Sequence, residues 1–160
     1  MTHEFSIRPA LPGEEPAIMR CLRSAFEPYR LYYTPAAYSD TVLTEDTILQ
    51  RIMEMTVFVA LNRSGDVIGT LACRLVSPGH GHLRGMAVLA EWQGKGVAQE
   101  LLRAAEDHLK DQGCSLITLN TTVPLKRAVR FYEKNGYQAS GKVKDFFGMP
   151  LFGYEKVLRK

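Results

Sequence analysis

The feature that most narrows what this chain can become is the run Gln93-Gly94-Lys95-Gly96-Val97-Ala98, set between two differently patterned segments. Before it, Leu83 to Val88 reads as a strand. After it, Val97, Leu101, Ala105 and Leu109 recur at helical spacing opposite Lys95, Gln99, Arg103, Glu106 and Lys110, up to Gly113. A glycine-rich bend that enters a helix leaves backbone N–H groups unpaired and parallel, with the positive end of the helix dipole behind them. Such a bend suits phosphate or pyrophosphate oxygens, and glycine admits both positive φ and close approach of an anion. Two other phosphate loops are excluded. A Walker loop needs Ser or Thr where Gly96 stands, and a dinucleotide fingerprint needs a third glycine where Gln99 stands, plus an opening βαβ unit.

Around this bend the periodicities alternate. Phe5 to Arg8 is a strand stopped by Pro9, and Gly13 to Phe26 is a helix with Ala17, Ile18, Cys21, Leu22, Ala25 and Phe26 on one face. Pro28 to Asp40, holding Tyr29, Tyr32, Tyr33 and Tyr38, has no clear period and reads as an aromatic loop with room for one helical turn. Thr44 is the expected N-cap of a helix whose buried stripe is Ile48, Leu49, Ile52 and Met53. Residues 56–61 and 67–76 are strands joined by a hairpin loop, and Pro78 to Gly81 turns into the strand beginning at Leu83. Ser115 to Thr121 is a strand. Pro124 opens a helix with the stripe Leu125, Ala128, Val129 and Tyr132, stopped at Gly136; strands at 137–143 and 151–158 flank a loop at 146–150. The order is β-α-α-β-β-β-α-β-α-β-β, a single mixed α/β domain over residues 1–160.

Composition sets the remaining bounds. With 46% hydrophobic and 23% charged residues among 160, the chain is globular rather than disordered. Its longest apolar run, Val57 to Leu61, is far short of the roughly 18 residues a membrane span needs. Met1 to Phe5 carries no export pattern, and Cys21, Cys73 and Cys114 are odd in number and far apart, which points to a reducing cytoplasm. A net charge of +3 is too mild for nucleic acid. It is unevenly spread: residues 1–80 hold seven basic and nine acidic side chains (−2), residues 81–160 thirteen and eight (+5), so an anionic ligand is better received by the second half.

Gln93-x-x-Gly96-x-Ala98 resembles the Q/R-x-x-G-x-G/A signature of the GNAT (general N-acetyltransferase) superfamily, in its strand–loop–helix context. Ala128 to Tyr137 is similar to that family's second motif, A-x-x-x-Y-x-x-x-G-F/Y, and the element order matches over residues 4–158. The resemblance implies a mostly antiparallel mixed sheet, helices on both faces, and strands at 83–88 and 115–121 splayed around acetyl-CoA, with no metal. Gln93 and the amides of Gly94, Lys95, Gly96, Val97 and Ala98 would hold the pyrophosphate. Met86, Ala87 and Val88 would pair with the pantetheine arm, the Met86 amide facing the thioester carbonyl. Tyr132, with Phe131 beside it, would give a proton to the departing thiolate. One departure is visible: many members carry Asn three residues before the motif alanine, where this chain has Leu125. Asn120 is the candidate substitute, and Lys126, Arg127 and Arg130 either meet the nucleotide phosphates or are solvated helix charges.

On the acceptor side, relatives with a side-chain base carry Glu eleven residues before the motif glutamine, which here is His82. Imidazole titrates near neutrality; Glu27 or a water relay are the alternatives. A two-residue period puts 82, 84, 86 and 88 on one face, so His82 and Arg84 look into the acceptor cleft. Arg84 suits a substrate carboxylate, unless Glu27 or Asp40 already pairs it. Tyr29 and Tyr33 would wall the pocket. His80 and His82 lack further metal ligands, His108 reads as solvated, Trp92 as packed under the bend, and the cysteines as spectators. The expected activity is direct acetyl transfer from acetyl-CoA to a primary amine of a small, carboxylate-bearing molecule. The alternatives are an acyl-CoA-binding module without turnover, a peptide or protein acetyltransferase, and a nucleotide-phosphate binder. The strands at 137–158 are the candidate surface for a homodimer.

Overall fold

Alternation is nearly erased in the middle of the sheet: Val57 to Leu61 and Val67 to Cys73 are buried throughout. Strands read this way when helices cover both faces. The computed structural model describes residues 4–122 and 125–158; Pro124, expected to open a helix, lies outside them. The elements run β1 (Phe5–Pro9), α1 (Glu15–Phe26), a 3-10 turn (Glu27–Tyr32), α2 (Pro35–Thr41), α3 (Glu45–Glu54), β2 (Thr56–Asn62), β3 (Val67–Ser77) and β4 (His80–Val88). After a second 3-10 turn (Ala90–Trp92) come α4 (Val97–Asp111), β5 (Leu116–Thr121), α5 (Lys126–Lys134), β6 (Gln138–Phe146) and β7 (Met149–Val157). The sheet order is β1-β2-β3-β4-β5-β7-β6, antiparallel except for β4 with β5.

Two cores result. On one face Val97, Leu101, Leu102, Ala105 and Leu109 of α4 pack with Leu71, Leu83, Ile117 and Tyr132; on the other, Ile18, Leu22 and Ile48 of α1 and α3 pack with Val57, Val59 and Ala72. The expected α4 stripe is therefore buried as read, and Thr44 caps α3 through a reciprocal bond with Thr47.

Five expectations are corrected. The supposed loop at 28–40 contains α2, capped by Thr34, whose Oγ1 accepts from the Ala37 amide at 3.2 Å, with Pro35 in its first turn. In α3 only Ile48 is buried; Leu49 and Met53 are 44% and 79% exposed, because a single line of the helix rests on α1 and β2. β4 begins at His80, which pairs with Ser77 across Pro78-Gly79. The loop at 146–150 is a two-residue turn at Phe147-Gly148, both at positive φ, with Phe146 paired to Met149.

The fifth correction matters most. Residues 82, 84, 86 and 88 do not share a face. Ala72 pairs with Arg84 and Thr70 with Ala87, so Gly85 and Met86 together oppose Leu71. This bulge, with Gly85 at φ +72°, adds one residue and reverses the alternation. Beyond it Ala87 faces the α1/α3 core, while Met86 and Val88 turn to the α4 side.

Candidate active site

β4 and β5 pair only at His80–Leu116, Gly81–Ile117 and His82–Thr118. Past that point they diverge, so the edge of β4 at 83–88, carrying Met86, Ala87 and Val88, has no strand beside it. Thr121 Oγ1, at the far end of β5, is buried without a hydrogen-bond partner among the described residues. The glycine bend stands at the mouth of this opening. Gly94 and Gly96 hold φ of +77° and +87°, and nothing lies within 4 Å of where their side chains would be. Gly96 caps α4 without a side-chain bond, and Glu100 is the first residue whose amide reaches back, to the Gly96 carbonyl. Among the described residues, the amides of Gly94, Lys95, Gly96, Val97, Ala98 and Gln99 therefore find no acceptor. Open space, orphan donors and a helix N-terminus together fit a pyrophosphate.

Side chains brace the bend rather than fill it. Gln93 Nε2 donates to the Val88 carbonyl at 3.2 Å, and its Oε1 accepts from Arg127 Nη1 at 2.9 Å, tying β4 to α5. Lys95 lies over the Trp92 ring, which meets Phe5 edge-on, so Trp92 does pack under the bend. Tyr132 is buried with Phe131 and Tyr137 edge-on to it at 5.4 and 5.7 Å. Its hydroxyl has no hydrogen bond within the described residues, and burial pushes its pKa well up, which keeps the proton on. Tyr137, by contrast, donates to Glu106 at 2.8 Å and anchors the end of α5.

On the other face the acceptor candidates gather along β4 and β5. His82 Nδ1 lies 2.7 Å and His80 Nε2 2.8 Å from the single hydroxyl of Thr118. Burial, then the neighbouring Arg84, His80, Lys144 and Arg74, lowers the His82 pKa to about 4, so the ring is neutral at pH 7. Asn120 shares this face: with His80, His82, Thr118, Lys142 and Glu155 it lines a groove of about 480 Å³, away from the bend. Arg84 Nη2 donates to Asp40 Oδ2 at 2.8 Å, the second of its two expected partnerships. Glu27 is exposed and faces Arg30 at 3.7 Å. Tyr29 is half-buried, edge-on to Phe26. Tyr33 is buried, its hydroxyl 2.8 Å from Thr122 Oγ1, so it ties the 27–41 segment to the end of β5.

Other readings shift. His108 is not solvated: its Nε2 is 3.0 Å from Thr56 Oγ1, and its ring packs on Phe58. The three cysteines are buried, and burial raises Cys21 and Cys73 to about 12, as inert thiols. Two residues went unnoticed in the sequence. Thr118 became visible only when strand register put it between two histidines, and Arg51 carries no local signal at all.

Residues 18–137 match the sequence pattern of the acetyltransferase (GNAT) family. The aminoglycoside N(6')-acetyltransferase type 1 of Stenotrophomonas maltophilia is 29% identical over 91% of this chain and 94% of its own length. N-alpha-acetyltransferase 30 of Schizosaccharomyces pombe is 34% identical over 50% of this chain; the match spans only 55% of that protein, about half, as for other curated relatives. The PaiA N-acetyltransferase of Thermoplasma acidophilum, solved with coenzyme A, shares the fold with a TM-score of 0.80 at 19% identity, over 98% of this chain and 100% of that one. With the sequence pattern covering three-quarters of its length and the splayed sheet and glycine bend in their places, this chain belongs to the acetyltransferase (GNAT) family.

Proposed function

We propose that this chain, as a single domain over residues 1–160, transfers an acetyl group from acetyl-CoA directly to the primary amine of a small molecule. The observation that carries this reading is the row of orphan amides at Gly94 to Gln99 beside the unpaired edge of β4. Those amides would hold the pyrophosphate and the 86–88 edge the pantetheine arm, with the Met86 amide donating to the thioester oxygen as charge develops there. Bound acetyl-CoA supplies the activated thioester. The new bond is C–N and the broken one C–S. Tyr132 gives its proton to the departing thiolate, and the second proton shed by the nitrogen balances that gift. The first leaves the acceptor ammonium before attack. His82 lies four residues upstream of Met86, roughly 13 Å along the strand, so this proton travels through water. One hydroxyl hydrogen cannot serve two lone pairs, so at least one of the two rings donates to Thr118, and the arrangement that frees a base on His82 is the following. His82 donates from Nδ1 to Thr118, Thr118 donates to His80 Nε2, and His82 Nε2 keeps its lone pair for the incoming proton. A base of pKa about 4 is weak, but the cations that depress it also lower the pKa of an ammonium beside it.

The relatives' names, an aminoglycoside and an N-alpha-acetyltransferase, support an amine acceptor of no single class. Free, buried thiols suit a cytoplasmic setting. Exposed Val143, Phe147 and Val157, on or beside the edge hairpin β6–β7, support a homodimer through that surface. Free thiol released from acetyl-CoA across an amine panel tests the activity. Release with at least one amine, lost in Tyr132→Phe, is expected; binding with no release for any amine would leave a coenzyme-binding module instead.

A further inference from the structure

A side chain on Gly85 would point at the spot already taken by the guanidinium of Arg51, from α3: its Nη1 lies 2.5 Å from the position of a Cβ there. Glycine at the bulge thus serves two ends, the positive φ and the room for a cation. The next residue back, Arg84, turns to the same α1/α3 side and meets Asp40 at 2.8 Å. Arg51 has no such partner, although the Asp40 carboxylate is near enough to act on its charge. It is half-buried, yet no hydrogen-bond acceptor or carboxylate stands within reach of its guanidinium among the described residues. Burial and the neighbouring charge of Arg84 pull its pKa down to about 10, which leaves it charged at neutral pH.

An ionised guanidinium carries five donors; those of Arg51 have no protein partner among the described residues yet reach solvent, which leaves them open to an incoming acceptor. The cavity it lines with Ile18, Leu22, Leu43, Ile48 and Gly85 measures about 10 Å³, room for one water and no anion. Gly85 lines the same cavity, so a ligand for Arg51 must meet it from the solvent side, where Arg84 and Asp40 stand partly exposed. Two guanidinium groups face one carboxylate there, leaving one positive charge uncompensated next to Met86.

We propose that Arg51 and Arg84 form an acid-recognition subsite at the β4 bulge, which takes the carboxylate or phosphonate of an amine acceptor and so aims its nitrogen at the Met86 end of the cleft. This rests on the acetyltransferase reading above. Asp40 steadies Arg84 and competes with the incoming acid. A polycationic amine is disfavoured, because any second ammonium meets the same uncompensated charge.

The test compares 3-aminopropanoate, 2-aminoethylphosphonate and n-propylamine as acceptors at saturating acetyl-CoA, with wild type, Arg51→Gln, Arg51→Lys and Asp40→Asn. In wild type at least one acid should exceed propylamine in kcat/KM by about 10²-fold, the ratio of the two acids telling carboxylate from phosphonate. Arg51→Gln should bring the acids to within a few fold of propylamine, Arg51→Lys should recover part of the preference, and Asp40→Asn should increase it. Calorimetry with propylphosphonate, which cannot react, should show binding weakened about tenfold or more by Arg51→Gln. If Arg51→Gln does not fold, Arg51→Lys and Asp40→Asn, moving the preference in opposite directions, carry the decision. Equal turnover of all three amines with acetyl-CoA binding intact overturns the subsite alone. No heat on titrating acetyl-CoA overturns the parent reading.

Discussion

The glycine bend and the wall formed by 27–41 and α3 stand at two ends of one cleft and are built by opposite means. The bend offers main chain: unpaired amides, two glycines open to solvent, and side chains such as Gln93 and Arg127 that tie neighbouring strands and helices together behind it. The wall offers side chains: Arg84 on Asp40, Tyr33 on Thr122, Arg51 in the space of an absent side chain, with two histidines on one threonine along the facing strands β4 and β5. Main-chain recognition tolerates much change of sequence around it, which suits a ligand that never varies. Side-chain recognition can be rewritten residue by residue, which suits one that does. Variants at the two ends should therefore have separable effects.

Tyr132 is the proposed proton donor, and its removal should cost most. Tyr132→Phe is expected to lower kcat by about 10²-fold or more while acetyl-CoA binding holds, since among the described residues the hydroxyl has no hydrogen-bond partner to lose. A matching loss of Tm would show a structural role instead. Next, Gly96→Val puts a β-branched residue at φ +87° in front of the amides and should weaken acetyl-CoA about tenfold to a hundredfold in calorimetry. The acceptor KM should not follow; if it does, the two ends are not separable. Gly85→Ala combines positive φ with a clash at Arg51 and should cost about 1–3 kcal/mol in chemical denaturation. It should also blunt the preference for acidic amines without touching coenzyme affinity.

His82 sharpens the contrast through pH. Its folded pKa, about 4, lies below the ordinary 6.5, so as pH falls the unfolded chain takes a proton first. The stability this histidine supports is complete above pH 6.5 and declines towards pH 4. Wild type should lose Tm across that window more steeply than His82→Gln; equal slopes would refute the depressed titration. The smallest effect belongs far from both ends: Arg8→Ala, breaking the ion pair with Glu14 at 2.8 Å, should cost at most about 1 kcal/mol by thermal melting and leave kinetics unchanged.

The same division decides what could be read from sequence. The α4 stripe, the capped start of α3 and the bend were legible because each is a local pattern repeated over several residues. α2 was missed because seven residues opened by Pro35 are too few to establish a period. The face of Met86 and Val88 was misread because a bulge is a single inserted residue, and nothing in Arg84-Gly85-Met86 distinguishes an extra glycine from a strand glycine. His108, Thr118 and Arg51 take their meaning from Phe58, two histidines and Gly85, all distant along the chain. Side-chain assemblies form across elements, so spacing alone does not disclose them.

Titration of acetyl-CoA into wild type and Gly96→Val by calorimetry tests the central claim, that main-chain amides at the bend hold the coenzyme's pyrophosphate. The account predicts one site per chain in wild type, competed by free CoA and weakened at least about tenfold in the variant. Absence of heat in wild type, or equal affinity in both proteins, would contradict it.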